Sequence, residues 1–268
     1  MKYEFGFIGC GNMGGAIADA VAHGVSPEKI ACADFFKEKV QRLVDTYGVN
    51  AETTEGIAKE SRFIFLGVKP QMMADTLASI EEILKSRTDR FVLITMAAGL
   101  KCEKITELAG YEYPVIRIMP NTPVSVGAGV VLYCANDKVE VQELEDFRAA
   151  MNNAGVLDEI PEKLIDAASA LSGCGPAFVS MLIEAMADGG VECGLPRDKA
   201  LLYAATTFAG TAKLLCETGK HPGKLKDEVC SPGGTTILGV HELEKGGVRA
   251  SLMNAVSEAY KKSVELGK

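Results

Sequence analysis

The run Gly9-Cys10-Gly11-Asn12-Met13-Gly14 constrains this chain more than any other feature. It follows residues 3–8, which read as a short buried strand, and it opens residues 13–18, which read as the first turns of a helix rich in small side chains. A turn that tight needs glycines with separate duties. Gly9 permits the turn, Gly11 lets a ligand approach the backbone, and Gly14 lets helix and strand pack closely. The helix N-terminus, Asn12 and Met13 included, then offers unpaired N–H groups and a positive dipole end to phosphate. Asp34 ends the next predicted strand, 20 residues after Gly14, where a carboxylate can hold a ribose. Strand, glycine turn, helix and acid together point to a dinucleotide.

The rest of the first half repeats the alternation. Residues 30–33, 62–67, 91–96 and 115–119 are near-continuous apolar runs, the pattern of strands buried on both faces of a parallel sheet. Amphipathic helices are predicted between them over 37–47, 71–86 and 101–109. A further strand at 129–134, a helix over 139–152 and a strand at 156–159 complete a doubly wound α/β domain of the Rossmann type, with right-handed crossovers. The character changes at Ile160-Pro161-Glu162, beyond which no strand is expected. The reading is a mostly parallel sheet domain over 1–160, followed by an all-helical domain over 161–268. Pro161, Pro176 and Pro196 suit helix first turns. The helix through 178–192 is apolar around most of its circumference, so it has to be buried on several sides. A domain this small has few faces to cover it, which assigns the task to a second subunit.

Composition narrows the partners. A formal net charge of −8 argues against nucleic acid and anionic lipid. With no uninterrupted apolar run of 18 residues, no membrane span is expected. The eight cysteines form no CxxC pair and read as reduced packing residues of a cytoplasmic protein. His23, His221 and His241 do not cluster with carboxylates at ligand spacing, so no metal site is expected.

Ligands of open α/β sheets bind beyond the carboxyl ends of the strands. Those ends carry Val68-Lys69-Pro70, Met96-Ala97-Ala98-Gly99 and Met119-Pro120-Asn121-Thr122-Pro123. Small and rigid residues there let a nicotinamide lie against backbone, with Lys69 within reach of ribose or phosphate and Asn121 of ribose or carboxamide. Plain turn chemistry accounts for any one of them alone; three at successive strand ends favour a site. In the second half, Ser231-Pro232-Gly233-Gly234-Thr235-Thr236 leads into a helix and gathers N–H donors and hydroxyls in a small volume. That suits a substrate carboxylate, whereas an ordinary N-cap needs one hydroxyl and no glycines. Glu184 and Asp188 share a helix face and read more readily as ion-pair partners than as an acid–base couple.

With these residues in hand, the chain resembles the pyrroline-5-carboxylate reductases over essentially its whole length. The motifs are residues 7–14, Val68-Lys69-Pro70, Ala97-Ala98-Gly99, residues 117–123, Leu171-Ser172-Gly173-Cys174-Gly175-Pro176-Ala177, His221-Pro222-Gly223, Leu225-Lys226-Asp227 and residues 231–236. The glycine turn is shared with many dehydrogenases; the last motif is particular to this family. The resemblance implies reduction of the cyclic imine of 1-pyrroline-5-carboxylate to proline by NADH or NADPH. It also implies a homodimer with interlocked domains, extended to a decamer in some members. It implies that Thr236 hydrogen-bonds the substrate nitrogen while Ser231, Gly234 and Thr235 hold the carboxylate. Asp34 departs from the neutral residue of many members and favours the free 2′-hydroxyl of NADH, with Lys37 a partial offset. Two rivals are a 3-hydroxy acid dehydrogenase, disfavoured because no lysine lies between Lys163 and Lys199, and a noncatalytic dinucleotide sensor.

Overall fold

The computed structural model describes residues 1–266. Eight strands and twelve α-helices occur among them, in the order β1 (Tyr3–Ile8), α1 (Asn12–Ala22), β2 (Ile30–Ala33), α2 (Lys37–Tyr47), β3 (Asn50–Ala51), α3 (Thr54–Glu60), β4 (Ser61–Leu66), α4 (Met73–Ser86), β5 (Val92–Thr95), α5 (Cys102–Leu108), β6 (Val115–Pro120), β7 (Gly129–Ala135), α6 (Val141–Ala150), β8 (Gly155–Glu159), α7 (Ile165–Ser172), α8 (Gly175–Glu192), α9 (Arg197–Thr218), α10 (Pro222–Glu228), α11 (Thr235–Lys245) and α12 (Val248–Leu266). The chain forms two compact units, Met1–Cys174 with Ala259–Lys268, and Gly175–Glu258.

The first unit is built on one sheet of order β3-β2-β1-β4-β5-β6-β7-β8. Every neighbouring pair is parallel except β6–β7, which is antiparallel, so β7 and β8 run against the other six. Both faces are covered, as the apolar strands require. On one face Phe5, Phe7, Phe63 and Phe65 pack with Ile17 and Val21 of α1; the Phe7 and Phe65 rings stack with centroids 4.4 Å apart. On the other, Ile8, Ile64 and Leu66 pack with Leu77, Ile80 and Leu84 of α4. Each such side chain contributes about 1.5–3 kcal/mol by leaving water, which fixes register and therefore where each strand ends.

Two elements escape the sequence periodicity. β3 has only two residues, and α3 is capped by Thr53, whose hydroxyl accepts from the Gly56 N–H at 3.0 Å. Between α2 and β3 the chain turns through Gly48 at φ +75°.

The second unit is helical throughout. Its own core is small: Ala187, Ala200 and Ala204, with Ile183 and Val191 against them. Of α8 only Ala187 is buried, while Met181, Leu202 and Leu238 are 70%, 56% and 65% exposed. That matches the expectation that this apolar helix is not covered by its own domain. The helical run Glu162–Glu192 is long and apolar enough to cross a membrane by length and composition alone. The expectation of no span rested on uninterrupted apolar runs, a stricter test than an average over a window.

Candidate functional site

Gly9 sits at φ +95°, a conformation that side chains rarely adopt, and a Cβ there would lie 2.7 Å from the Gly67 carbonyl carbon. Gly14 faces the Gly9 carbonyl so closely that any Cβ would overlap it, which is how α1 can begin directly over β1. Gly11 differs from both, since nothing lies within 4 Å of the Cβ it lacks. It is the N-cap of α1 with no side chain capping the helix. The first N–H groups of an eleven-residue helix therefore face open space without a competing hydroxyl or carboxylate, a cradle for a pyrophosphate.

Around the turn lies a cavity of about 410 Å³, bounded by Gly9, Gly11, Asp34, Val68 and Lys69 and by Phe35, Phe36, Lys39, Thr54 and Glu55. It opens at the carboxyl ends of β1, β2 and β4. Asp34 accepts from the Cys10 N–H through Oδ2 at 2.7 Å and from the Phe36 N–H through Oδ1 at 2.9 Å. Its side chain is 9% exposed, and the cation beside it is Lys39, with Nζ 3.6 Å from Oδ1, rather than the exposed Lys37. Each carboxylate oxygen keeps a second lone pair, so Asp34 can still accept from a ribose. The Lys39 ammonium also lies 4.5 Å from the centroid of the Phe36 ring.

Asn12 is exposed and borders a neighbouring cavity with Cys10 and Gly11, while Met13 is half-buried. Pro70 is exposed after β4, and Ala97, Ala98 and Gly99 form the turn after β5, with Gly99 at φ +78°. None of these four lines the 410 Å³ cavity. Asn121 does not line it either. Its amide is turned into the protein, Nδ2 donating to the Ser172 carbonyl at 3.0 Å and Oδ1 accepting from the Val130 N–H at 2.8 Å. Phe36, Lys39, Thr54 and Glu55 were missed by sequence reasoning; the Thr53 cap was the available signal for the last two.

In the helical unit, Gly234 is the N-cap of α11 and no side chain caps the helix. Thr235 and Thr236 are thus not consumed by capping, the ordinary alternative for such a sequence. Gly233 at φ +69° makes the turn, and the Gly234 N–H donates to the Ser231 carbonyl at 3.0 Å. Ser231, Thr235 and Thr236 are exposed, Gly234 is half-buried, and the first turn carries no acidic residue. An eleven-residue helix dipole and free hydroxyls, with no acid in the first turn, suit an anionic group. Asp188 pairs with Arg197, which accounts for one of the two helix carboxylates. His221 caps α10 through Nδ1, accepting from the Gly223 N–H at 3.1 Å, and His241 is exposed.

A larger cavity, about 540 Å³, lies near the amino ends of β5 and β6 among Lys85, Arg87, Arg90 and Tyr111. Its cations are already engaged, Arg87 by Asp89, Arg90 by Glu143 and Lys85 by Glu81. The glycine-turn cavity carries the functional argument.

Residues 162–266 match the family described as pyrroline-5-carboxylate reductase dimerisation, and residues 4–99 match NADP oxidoreductase, coenzyme F420-dependent. The pyrroline-5-carboxylate reductase of Glycine max is 42% identical over 268 residues, spanning 99% of this chain and 96% of that protein. That of Escherichia coli (strain K12) is 40% identical over all of both chains. Among solved structures, the Plasmodium falciparum pyrroline carboxylate reductase with NADP bound is 33% identical. It has a TM-score of 0.88, with 99% of this chain and 98% of that one covered.

Proposed function

The chain belongs to the pyrroline-5-carboxylate reductases, and from that membership we propose how its residues divide the work. It is an oxidoreductase that reduces the cyclic imine of 1-pyrroline-5-carboxylate to proline with a reduced nicotinamide cofactor, and it carries the family's dimerisation domain. The observation that carries the division of labour is the pair of uncapped helix N-termini, one behind Gly11 and one behind Gly234.

The bound dinucleotide supplies a hydride to the imine carbon. Gly9, Gly11, Asn12, Met13 and Gly14 receive the pyrophosphate, and Asp34 accepts from the adenosine ribose. Val68, Lys69 and Pro70, with Ala97, Ala98 and Gly99, flank the remainder, and Asn121 acts by bracing the turn after β6 through its bonds to Ser172 and Val130. Ser231, Gly234 and Thr235 hold the substrate carboxylate. Thr236 hydrogen-bonds the ring nitrogen, which takes its proton from water beforehand and keeps it as the C=N bond becomes C–N. An imine is basic enough to be protonated before the hydride arrives, so positioning and charge placement supply much of the acceleration. No histidine or lysine acid is required.

NADH is the favoured cofactor. Asp34 and Glu55 border the cavity where a 2′-phosphate would lie, and Lys39, paired to Asp34, offsets only part of their charge. Residues 1–160 act as the dinucleotide domain and 161–268 as the dimerisation and substrate domain. This reading is supported by the family match that starts at residue 162, although α7 packs its Ile165 into the core of the sheet unit. The exposed apolar helices of the second unit meet a second subunit, giving a dimer that can build to a decamer. Free cysteines throughout the chain suit the cytoplasm.

The test is oxidation of NADH and of NADPH, measured separately with and without 1-pyrroline-5-carboxylate. Imine-dependent oxidation, faster with NADH, is expected. A higher kcat/KM with NADPH would remove the role given to Asp34, and no oxidation by folded dimer would remove the substrate.

A further inference from the structure

On the sheet face beneath α5 and α7, three donor groups converge from distant parts of the chain. Cys102 is the first residue of α5, Cys134 lies in β7 and Glu162 follows β8. Their Sγ atoms and carboxylate lie within 4.8 Å of one another. Cys102 and Cys134 are 5% and 7% exposed, and Glu162 is about a third exposed. Glu162 is held in place by the Cys102 N–H, which donates to Oε1 at 2.8 Å.

Beside them sits a fully buried guanidinium. Arg117 is the register partner of Cys134 across β6–β7, so the two side chains leave the same face of the sheet. Its Nη2 bonds Asp166 at 3.1 Å. Nη1 lies 3.5 Å from Glu162 Oε1, an ion pair without hydrogen-bond geometry, and both Nη1 and Nε lack a hydrogen-bond partner. Buried orphan donors on a cation are costly. Neutral thiols are weak acceptors for them; thiolates are strong ones.

We propose that Cys102, Cys134 and Glu162 form a thiolate–carboxylate site for a zinc-class divalent cation, distinct from the dinucleotide cavity. Two sulfurs and one oxygen are the donor set of a borderline-soft ion. A tetrahedral ion with Zn–S near 2.3 Å needs its donors about 3.5–3.8 Å apart. Closing the observed set takes a shift of about 1.3 Å at most, within reach of small side-chain torsion changes at the two cysteines and the partly exposed glutamate. Three anionic ligands around a doubly charged ion leave one negative charge, and Arg117 neutralises it as an outer-shell partner. The way in is a cavity of about 350 Å³ over Cys102 and Glu162, whose other charged residues are Glu103, Glu112, Asp137 and Lys138. Acids outnumber the one lysine, so the entrance attracts cations. This cavity shares no lining residue with the one at the glycine turn.

Cobalt titration of the chelator-treated, full-length protein tests the assignment. About one Co²⁺ per chain is expected to bind with a thiolate-to-metal charge-transfer band, to release about two protons, and to be displaced by Zn²⁺. The C102S/C134S double variant, shown to be folded by its retained dinucleotide binding, should lose the band. Glu162→Gln should keep a thiolate band and weaken Co²⁺ binding about 10–100-fold. Absence of the band in the unmodified protein overturns the proposal, as does its survival in the double variant. Should the double variant not fold, an unchanged affinity in Glu162→Gln overturns it alone.

Discussion

Both oxygens of Asp34 are held by backbone donors, and one donor is Cys10 of the glycine turn itself. The carboxylate therefore ties the end of β2 to the loop that precedes α1, besides placing negative charge in the cavity. Asp34→Ser should keep the fold, since a hydroxyl can still accept from the Cys10 N–H. It should raise the NADPH-to-NADH ratio of kcat/KM by at least about tenfold, the ratio that 1.4 kcal/mol of relieved like-charge repulsion gives; an unmoved ratio would place the 2′-group elsewhere. Thr236 has a different signature. Thr236→Ala removes one hydrogen bond worth about 1–3 kcal/mol at a charged nitrogen, so kcat should fall about tenfold to a hundredfold with cofactor affinity spared. Equilibrium cofactor titration beside steady-state kinetics separates the two, and an unchanged kcat would take Thr236 out of the reaction. Asn121 teaches the converse lesson. Its position at a strand end was legible in the sequence, but the bonds from its amide to Ser172 and Val130 were not, because they span 51 and 9 residues.

Among the elements, the strand–turn–helix at β1 and α1 was readable because its constraint is local: three glycines within six residues and apolar runs on either side. The Gly14 site makes that quantitative. Gly14→Ala drives a methyl into the Gly9 carbonyl, an overpacking that costs about 1–3 kcal/mol and pushes α1 off β1. Thermal melting should show a lowered Tm and fluorescence titration a lost dinucleotide affinity; wild-type values for both would mean that the helix is free to adjust. The strands from β4 to β8 were equally legible, their ends within a residue or two of the apolar runs. β3 and α3 were not, since two residues carry no period and α3 buries only the adjacent pair Ile57 and Ala58, which sets up no helical repeat. Cys102, Cys134 and Glu162 were invisible for another reason. A search for metal ligands by spacing looks for neighbours, and these meet only because β6 and β7 pair antiparallel and bring β7 back beside β6.

For the whole molecule, the decisive contrast is between the two units. The sheet unit buries aromatic and aliphatic side chains on both faces; the helical unit buries three alanines and leaves Met181, Leu202 and Leu238 exposed. That imbalance was foreseeable from the apolar circumference of residues 178–187, which no fold of one short domain could cover. Met181→Glu places a charge on this surface. It should convert the oligomer to monomer in sedimentation or light scattering and abolish imine reduction while leaving dinucleotide binding intact, and a variant that remains dimeric would put Met181 outside the interface. A unit with so little interior of its own has little private stability. Its folding free energy is partly an association free energy, so the midpoint of its thermal unfolding rises with the logarithm of protein concentration. Abundance thereby becomes a stabilising ligand: dilution alone, with no change of solvent or sequence, loosens the helical half first and leaves the nucleotide-binding half standing.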